Sequence, residues 1–508
     1  MLADLAAGFS LILDPTVIGV ALAGLLAGIL VGGLPGLTAT MAVAVLAPFT
    51  FMMDTLIGLP FLLGVYKGAI YAGSIPAILI NTPGTAAAAA TAADGNAMAR
   101  SGRARQALEI SLYASVIADL IATMVLIAVA APLASIAIKV GSPEFTLLYA
   151  IALTMVAAVS GQDMLKGMIA AVLGVMVSLI GLDPMSGAQR YTFDQTVLLG
   201  GISLIPLLIG MFALSEILIR AEDTLVNAAA KDIDAKGASS GLTLSGLRRL
   251  MPTILRSTGI GTALGSLPGL GAEISCWVAY GVAKRTSKTP ERFGKGAPEG
   301  VAAAEAGNNA VCPAALIPMT VFGIPGDTIT AVLLGAFMAQ GLMPGPLMFA
   351  RDAETVYAIF AFLLISNVML LFVGLWAIRY MQRIVLIPNA LLYPAVAAFC
   401  FAGAFAVNNA AFDIVTMLVG GIAGYAMRKT GTPIPPFVIG MLLAPGLENS
   451  LRQSLTASRG SLMIFVEKPG ALTLLGILAG LLTLFVWQGW RRAVPANTHL
   501  NQQNGETR

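Results

Sequence analysis

Any chemistry in this chain has to come from a few polar residues set beside backbone breaks. Four Gly-Pro interruptions fall inside apolar sequence: Leu34-Pro35-Gly36-Leu37, Asn81-Thr82-Pro83-Gly84-Thr85, Leu267-Pro268-Gly269-Leu270 and Gly323-Ile324-Pro325-Gly326-Asp327. Pro removes a backbone donor and Gly accepts dihedrals that other residues avoid, so each should interrupt a helix. A helix restarting after a break offers free N–H groups and its positive dipole end, which suits an anion such as a carboxylate. Carbonyls freed on the other side of a break suit a cation such as sodium. Beside the breaks lie Thr38, Thr40, Asn81, Thr82, Thr85 and Thr91 in the first half of the chain. Glu273, Ser275, Glu305, Asn308, Asn309, Asp327, Thr328 and Thr330 lie beside them in the second. Amides and hydroxyls can hydrogen-bond a carboxylate or coordinate a cation through oxygen. Glu273 and Asp327 are ionisable in apolar surroundings, where such groups are costly and often mark ion or proton pathways. Asp119 raises the same question with fewer polar neighbours.

Other chemistries drop out. His499 is the only histidine and sits in a polar tail, which removes His-based general-base catalysis, His–metal sites and haem ligation. Cys276, Cys312 and Cys400 are far apart, with no disulfide or zinc spacing. No catalytic residue, metal ligand set or cofactor is expected. A net charge of +3 is too small to indicate nucleic-acid binding.

The elements that must position these residues follow from composition. The chain has 508 residues, 57% apolar and 11% charged, against roughly 25% charged in an average soluble domain. The mean hydropathy is +0.86. A soluble fold could not cover its surface with so little charge, and disorder needs the opposite composition. The expected class is an all-α polytopic membrane protein. At about 20 residues per span the chain could hold well over ten spans. The N-terminus carries Asp4 and lacks the basic region of a secretory signal, so its first apolar stretch is expected to be kept.

The breaks are duplicated. Residues 28–40 match 261–273 at an offset of 233, pairing Gly28 with Gly261, Gly32 with Gly265 and Leu34–Leu37 with Leu267–Leu270. Residues 74–85 match 316–327 at an offset of 242, pairing Ile75, Pro76, Pro83 and Gly84 with Ile317, Pro318, Pro325 and Gly326. The charged insert 284–295 absorbs the change of nine. Basic residues flank the two copies on opposite sides. None precedes Lys67, whereas Arg248, Arg249, Arg256, Lys284 and Arg285 surround the second copy of the first break. Arg100, Arg103 and Arg105 follow the first copy of the second break. Lys and Arg in short loops prefer the cytoplasm, so two inverted-topology repeats with discontinuous helices or helical hairpins are expected, an arrangement common in secondary transporters. The expected division is a first transmembrane repeat at 1–219, a cytoplasmic linker at 220–249, a second repeat at 250–490 and a polar tail at 491–508. Residues 183–194 are expected outside, and 100–105 and 284–300 inside. An intramembrane enzyme and a channel are the alternatives. The first lacks a catalytic motif in the membrane, and the second usually shows one pore-lining filter and oligomeric symmetry.

Residues 64–108 and 265–327, which carry the NTPGT, GSLPGLGAE, EAGNN and GIPGD runs, closely resemble the large membrane subunit of the tripartite tricarboxylate transporters. The resemblance extends from about residue 15 to residue 490. It implies a bacterial inner-membrane secondary transporter for organic anions, driven by sodium or protons. It also implies a periplasmic solute-binding protein that delivers the substrate, and a small membrane subunit. A homo-oligomer is left open. The family motifs fall at Leu34–Leu37, Asn81–Thr85, Leu267–Gly271, Glu305–Asn309 and Gly323–Gly326, and the resemblance implies a substrate and coupling-ion site there. Lys67, Glu273 and Asp327 depart from the family pattern, and acid beside the breaks suits a less charged anion or coupling by protonation.

Overall fold

The computed structural model describes residues 2–159, 164–224, 241–384 and 389–493. Most of the expected linker (225–240) and most of the expected tail (494–508, with His499) lie outside the described residues. The described chain is almost wholly helical. Its first half runs α1 (Leu2–Ile12), α2 (Pro15–Gly32), α3 (Ala39–Leu46), α4 (Thr55–Ala72), α5 (Ser74–Ile80), α6 (Ala89–Met98), α7 (Ala104–Ala137), α8 (Ser142–Val159), α9 (Met164–Ser178), α10 (Leu204–Leu208) and α11 (Ser215–Thr224). Its second half runs α12 (Leu244–Gly265), α13 (Gly271–Thr286), α14 (Pro298–Asn309), α15 (Val311–Phe322), α16 (Thr328–Ala339), α17 (Met348–Arg351), α18 (Ala353–Ile384), α19 (Asn389–Asn408), α20 (Ala411–Lys429), α21 (Ile434–Ala457), α22 (Ile464–Glu467) and α23 (Pro469–Ala493). A two-residue hairpin, in which Gly181 pairs with Arg190, interrupts the helices.

Among the described residues six helices are long and apolar enough to cross a membrane: Pro15–Gly32, Thr55–Ile80, Ala86–Ala137, Leu204–Glu222, Ala353–Tyr380 and Ala411–Lys429. Several other apolar stretches, Ala39–Thr50 and Thr328–Ala339 among them, form helices too short to span. Helix ends are written in the local sequence. Asp14 caps α2 by accepting the Thr16 N–H at 2.7 Å, with Pro15 in the first turn. Asp54 caps α4 by accepting the Leu56 N–H at 2.9 Å.

The duplication is present in the backbone. Helices α2 and α12 end at Gly32 and Gly265, 233 apart. Helices α5 and α15 end at Ile80 and Phe322, 242 apart. Gly36 and Gly269 both hold positive φ, 89° and 87°. Asn81 and Gly323, the C-caps of α5 and α15, are both left-handed, with φ of 56° and 68°. The N–H groups of Thr82 and Ile324 donate to Pro76 O and Pro318 O, at 3.3 and 3.2 Å.

Two helices form the centre. α14 is buried at every position from Gly300 to Asn309, packed by α6, α7, α12 and α13. α4 is buried from Gly58 through its end except at Phe61 and packs along α2. The α2–α4 contact is close enough that a side chain at Gly28 would strike the Val65 carbonyl. The second half repeats this approach at the equivalent residues, Gly261 against the Gly307 carbonyl. Small residues that let backbones approach are a general solution for helix packing in lipid. Gly28→Leu is therefore expected to destabilise the protein by about 1–3 kcal/mol. Gly19→Leu, where nothing lies within 4 Å of an added Cβ, should leave stability unchanged. Thermal-shift size-exclusion chromatography of the detergent-solubilised variants checks this, and equal melting of the two would contradict the packing.

Candidate functional site

All four breaks meet. The Gly269 N–H donates to Gly326 O at 2.8 Å, joining the two second-half breaks directly. The Gly84 N–H donates to Gly73 O at 3.1 Å, tying the NTPGT break to the α4–α5 junction. Gly84 also approaches Gly32, so that an added Cβ would fall on the Gly32 carbonyl and join the two first-half breaks. Where they converge is a cavity of about 560 Å³. Thr38, Thr40, Thr85 and Ala86 line it from the first half, and Gly269–Ile274 with Asp327–Ile329 from the second. Arg428 and Thr432–Pro435, at the α20–α21 junction, close another side.

The helix starts around this cavity are built by their own side chains. Thr38 caps α3 by accepting the Met41 N–H at 3.2 Å. Asp327 caps α16 through a reciprocal pair: its Oδ1 accepts the Thr330 N–H at 2.8 Å, and its own N–H donates to Thr330 Oγ1 at 2.8 Å. The Tyr66 hydroxyl reaches Asp327 Oδ2 at 3.4 Å. Glu273 stands in the first turn of α13 and is exposed at the cavity. The two halves differ in chemistry at equivalent positions: Thr40 and Thr85 in the first correspond to Glu273 and Asp327 in the second. Two polar atoms on the lining are buried without a hydrogen-bond partner, Thr85 Oγ1 and Arg428 Nε. Another nitrogen of Arg428 pairs with Glu216, whose second oxygen accepts from Arg220 Nε at 2.9 Å.

A family model described as the Tripartite tricarboxylate transporter TctA family matches residues 18–439. The chain belongs to this family. It is a multi-span helical membrane protein of a transporter family, and its membership is that of a tricarboxylate transporter membrane subunit. It is 36% identical over 478 residues to a protein of Agrobacterium vitis described as an uncharacterized 52.8 kDa protein in the TAR-I ttuC' 3' region, covering 94% of each chain. A second Agrobacterium vitis protein, described as an uncharacterized protein in the TAR-II ttuC' 3' region, is 37% identical over 217 residues, 43% of this chain and 90% of that one. No solved structure matches.

The residues expected at the site are not all on the cavity. Thr38, Thr85, Gly269, Glu273 and Asp327 line the cavity. Pro35, Gly36, Pro83, Gly84, Pro268, Pro325 and Gly326 shape the breaks behind it. Gly36 packs on the Arg220 guanidinium. Asn81 is exposed at its left-handed cap, and the hydroxyl of half-buried Thr82 reaches Ile80 O at 3.4 Å. Glu305, Asn308 and Asn309 lie within buried α14 and are not on the cavity lining. Thr91 donates to one Glu305 oxygen, and Ser115 approaches the other at 3.2 Å. Asp119, an open question in sequence, pairs with buried Lys67 at 3.0 Å. The Lys67 ammonium also donates to Leu363 O and Ser366 Oγ of α18, at 2.9 and 2.8 Å.

Arg428, Glu216 and the α20–α21 junction were invisible to the repeat. The available signal was the Gly431-Thr432-Pro433 run with Pro435 and Pro436, a fifth Gly-Pro-rich stretch without a first-half copy.

Asp327 separates capping from charge. Asp327→Asn keeps an oxygen for the Thr330 N–H and should melt within a few tenths of a kcal/mol of the parent, whereas Asp327→Ala should cost about 1 kcal/mol. Equal melting of all three would show that the cap does not hold α16.

Proposed function

We propose that the chain is the permease subunit of a binding-protein-dependent secondary transporter that takes up organic carboxylates, of tricarboxylate or dicarboxylate type, by symport with sodium or protons. The observation carrying this is the convergence of four helix breaks on one cavity. Helices α3, α13, α16 and α21 begin at its wall, and each start brings partial positive charge. Glu273 and Asp327 offset that charge at α13 and α16. At α3 it is left to Thr38 and Thr40, with Thr85 nearby and Arg428 opposite. A substrate carboxylate therefore docks on the first-half wall, where donors are in surplus. The two acids on the second-half wall favour an anion of lower charge, or a cation beside it.

Delivery by a periplasmic solute-binding protein and assembly with a small membrane subunit in the bacterial inner membrane belong to the same reading. So do halves of opposite orientation, which could alternate access around a fixed cavity. Arg452, Arg459 and Lys468 fall on the outer side of that topology, against the preference of basic residues for the cytoplasm; Arg452 there pairs with Asp183 and Glu448 at 2.9 and 2.8 Å.

The test is uptake by membrane vesicles carrying the whole complex. Thr85→Val removes a hydroxyl that would bond a charged group, and should cut uptake about tenfold or more at unchanged membrane abundance. Asn81→Gly, which suits the left-handed cap, should transport near normally. Undiminished uptake by Thr85→Val, or loss with Asn81→Gly alone, would overturn the site.

A further inference from the structure

Several acids are buried in the apolar body or stand at its cavity: Asp94 accepts three backbone N–H groups, Glu216 holds Arg220 and Arg428, and Asp413 stands in the first turn of α20. Asp119 has the Lys67 ammonium. Asp327 caps α16. Glu273 faces the cavity. Glu305 is fully buried away from a helix start, and its partners are neutral side chains. Thr91 of α6 donates to Oε1. Ser115 of α7 donates to Oε2 at 3.2 Å, and Asn309 Nδ2 approaches the same oxygen at 3.4 Å. Asn309 Nδ2 also donates to Ser115 Oγ at 2.8 Å. A buried carboxylate without a counter-ion is costly, and taking up a proton removes the cost.

Two further observations point to a ligand as small as a proton. Polar capacity is left over nearby. Both amide atoms of Asn308, one turn along α14, and the hydroxyl of Tyr71 on α4 are buried without a hydrogen-bond partner. Separate hydroxyls also lie between the cavity and α7, the Thr85 hydroxyl being without a hydrogen-bond partner. Thr85 lines the cavity and packs on Gly73. Ser74, the next residue, lies 2.7 Å from Ser111 of α7, oxygen to oxygen. Ser111 precedes Ser115 by one turn and so shares its face of α7.

As arranged here, the Thr91 and Ser115 hydroxyls and the Asn309 amide all point donors at the carboxyl. An amide NH₂ group is already aimed at Oε2 and cannot ligate a metal ion. Glu305 lines neither the cavity at the breaks nor a second, mostly apolar cavity of about 500 Å³ among α7, α12 and α15. A proton needs neither acceptor shell nor volume. We infer that Glu305 is a proton-binding site that couples carboxylate uptake to a proton gradient. The inference rests on the symport reading and deepens it. In the step, one carboxylate oxygen takes a proton from water on the side to which the cavity is open and becomes a neutral acid. The proton leaves by reversal once the cavity opens to the other side, and only O–H bonds form and break.

The titratable and charged groups on the helices around α14 are committed elsewhere, exposed, or neutral as thiol and phenol. Asp94 of α6 accepts the N–H groups of Gly294, Gly296 and Ala297, each at 2.8 Å, and the Tyr280 hydroxyl of α13 at 2.9 Å. Lys67 of α4 and Asp119 of α7 hold each other, and Glu109 at the start of α7 holds Arg105. Tyr66 and Tyr71 of α4, Cys276 of α13 and Cys312 of α15 are buried nearby, while Arg248, Arg249 and Arg256 of α12 and Glu273, Lys284 and Arg285 of α13 are exposed and α12 turns Ser257 and Thr258 inward.

The experiment is infrared difference spectroscopy of the purified full chain in liposomes, titrated with acid in sodium-free buffer and repeated with sodium chloride. The parent should show a protonated-carboxyl band that Glu305→Gln removes, at the same midpoint with and without sodium. Thr91→Val and Ser115→Ala each delete a donor that favours the anion, so each should move the midpoint to higher pH by about one unit. Should Glu305→Gln fail to fold, these two variants decide the matter. A band that survives Glu305→Gln, a midpoint unmoved in both donor variants, or a midpoint displaced by sodium overturns the inference. Protons are the only probe, so the result stands apart from whether carboxylates bind the cavity.

Discussion

A peptide group freed from a helix inside a bilayer can bond only to protein or to a wet cavity, because lipid offers no partner. That constraint organises this molecule. Its breaks free N–H and C=O groups at four places, and the chain brings those places together. The Gly269 N–H finds Gly326 O, and Gly84 finds Gly73 O while resting on Gly32. Backbone that could not be left in lipid thereby becomes part of the lining of one chamber, and the helix starts that follow the breaks surround it.

Bringing breaks together demands that the helices behind them approach closely. Gly28 on Val65 and Gly261 on Gly307 provide this twice, at equivalent positions. Side chains at the breaks can then diverge while the backbone is kept. One half presents Thr40 and Thr85, the other Glu273 and Asp327. Two copies of one backbone solution yield a chamber with a donor-rich wall and an acidic wall, which suits co-binding of an anion and a cation. Away from the chamber, Lys67 of the first half bonds α18 of the second, and Asn309 of the second bonds Ser115 of the first. These reciprocal buried contacts link the halves.

Much of this was legible in the sequence. Helical class followed from hydropathy, and the breaks from Gly and Pro, because both act through local backbone energetics. The repeat located α2, α5, α12 and α15 ends because equal sequence at equal offset imposes equal local conformation. Long-range partners were not legible. The Gly431-Thr432-Pro433 run marks the end of α20 in sequence but not its place at the cavity, since that depends on packing against α10 and α11. Residue type also failed to separate cavity from core. Asn308 and Asn309 look like ligands in sequence, yet burial of α14 on every side keeps them off the cavity. Asn81 owes its place to a left-handed cap that Asn tolerates well.

The central claim, that the four breaks enclose one carboxylate site, is tested most directly by ligand protection in the assembled transporter. In a background with Cys276, Cys312 and Cys400 replaced by Ala, a single cysteine is placed at Thr40, in the chamber, or at Thr262, in the apolar cavity. Maleimide labelling is then timed with a panel of mono-, di- and tricarboxylates and with chloride at matched ionic strength. The account predicts that at least one carboxylate slows labelling at position 40, that chloride does not, and that position 262 is indifferent to all. Labelling at position 40 that no carboxylate slows, or equal protection at both positions, would contradict it.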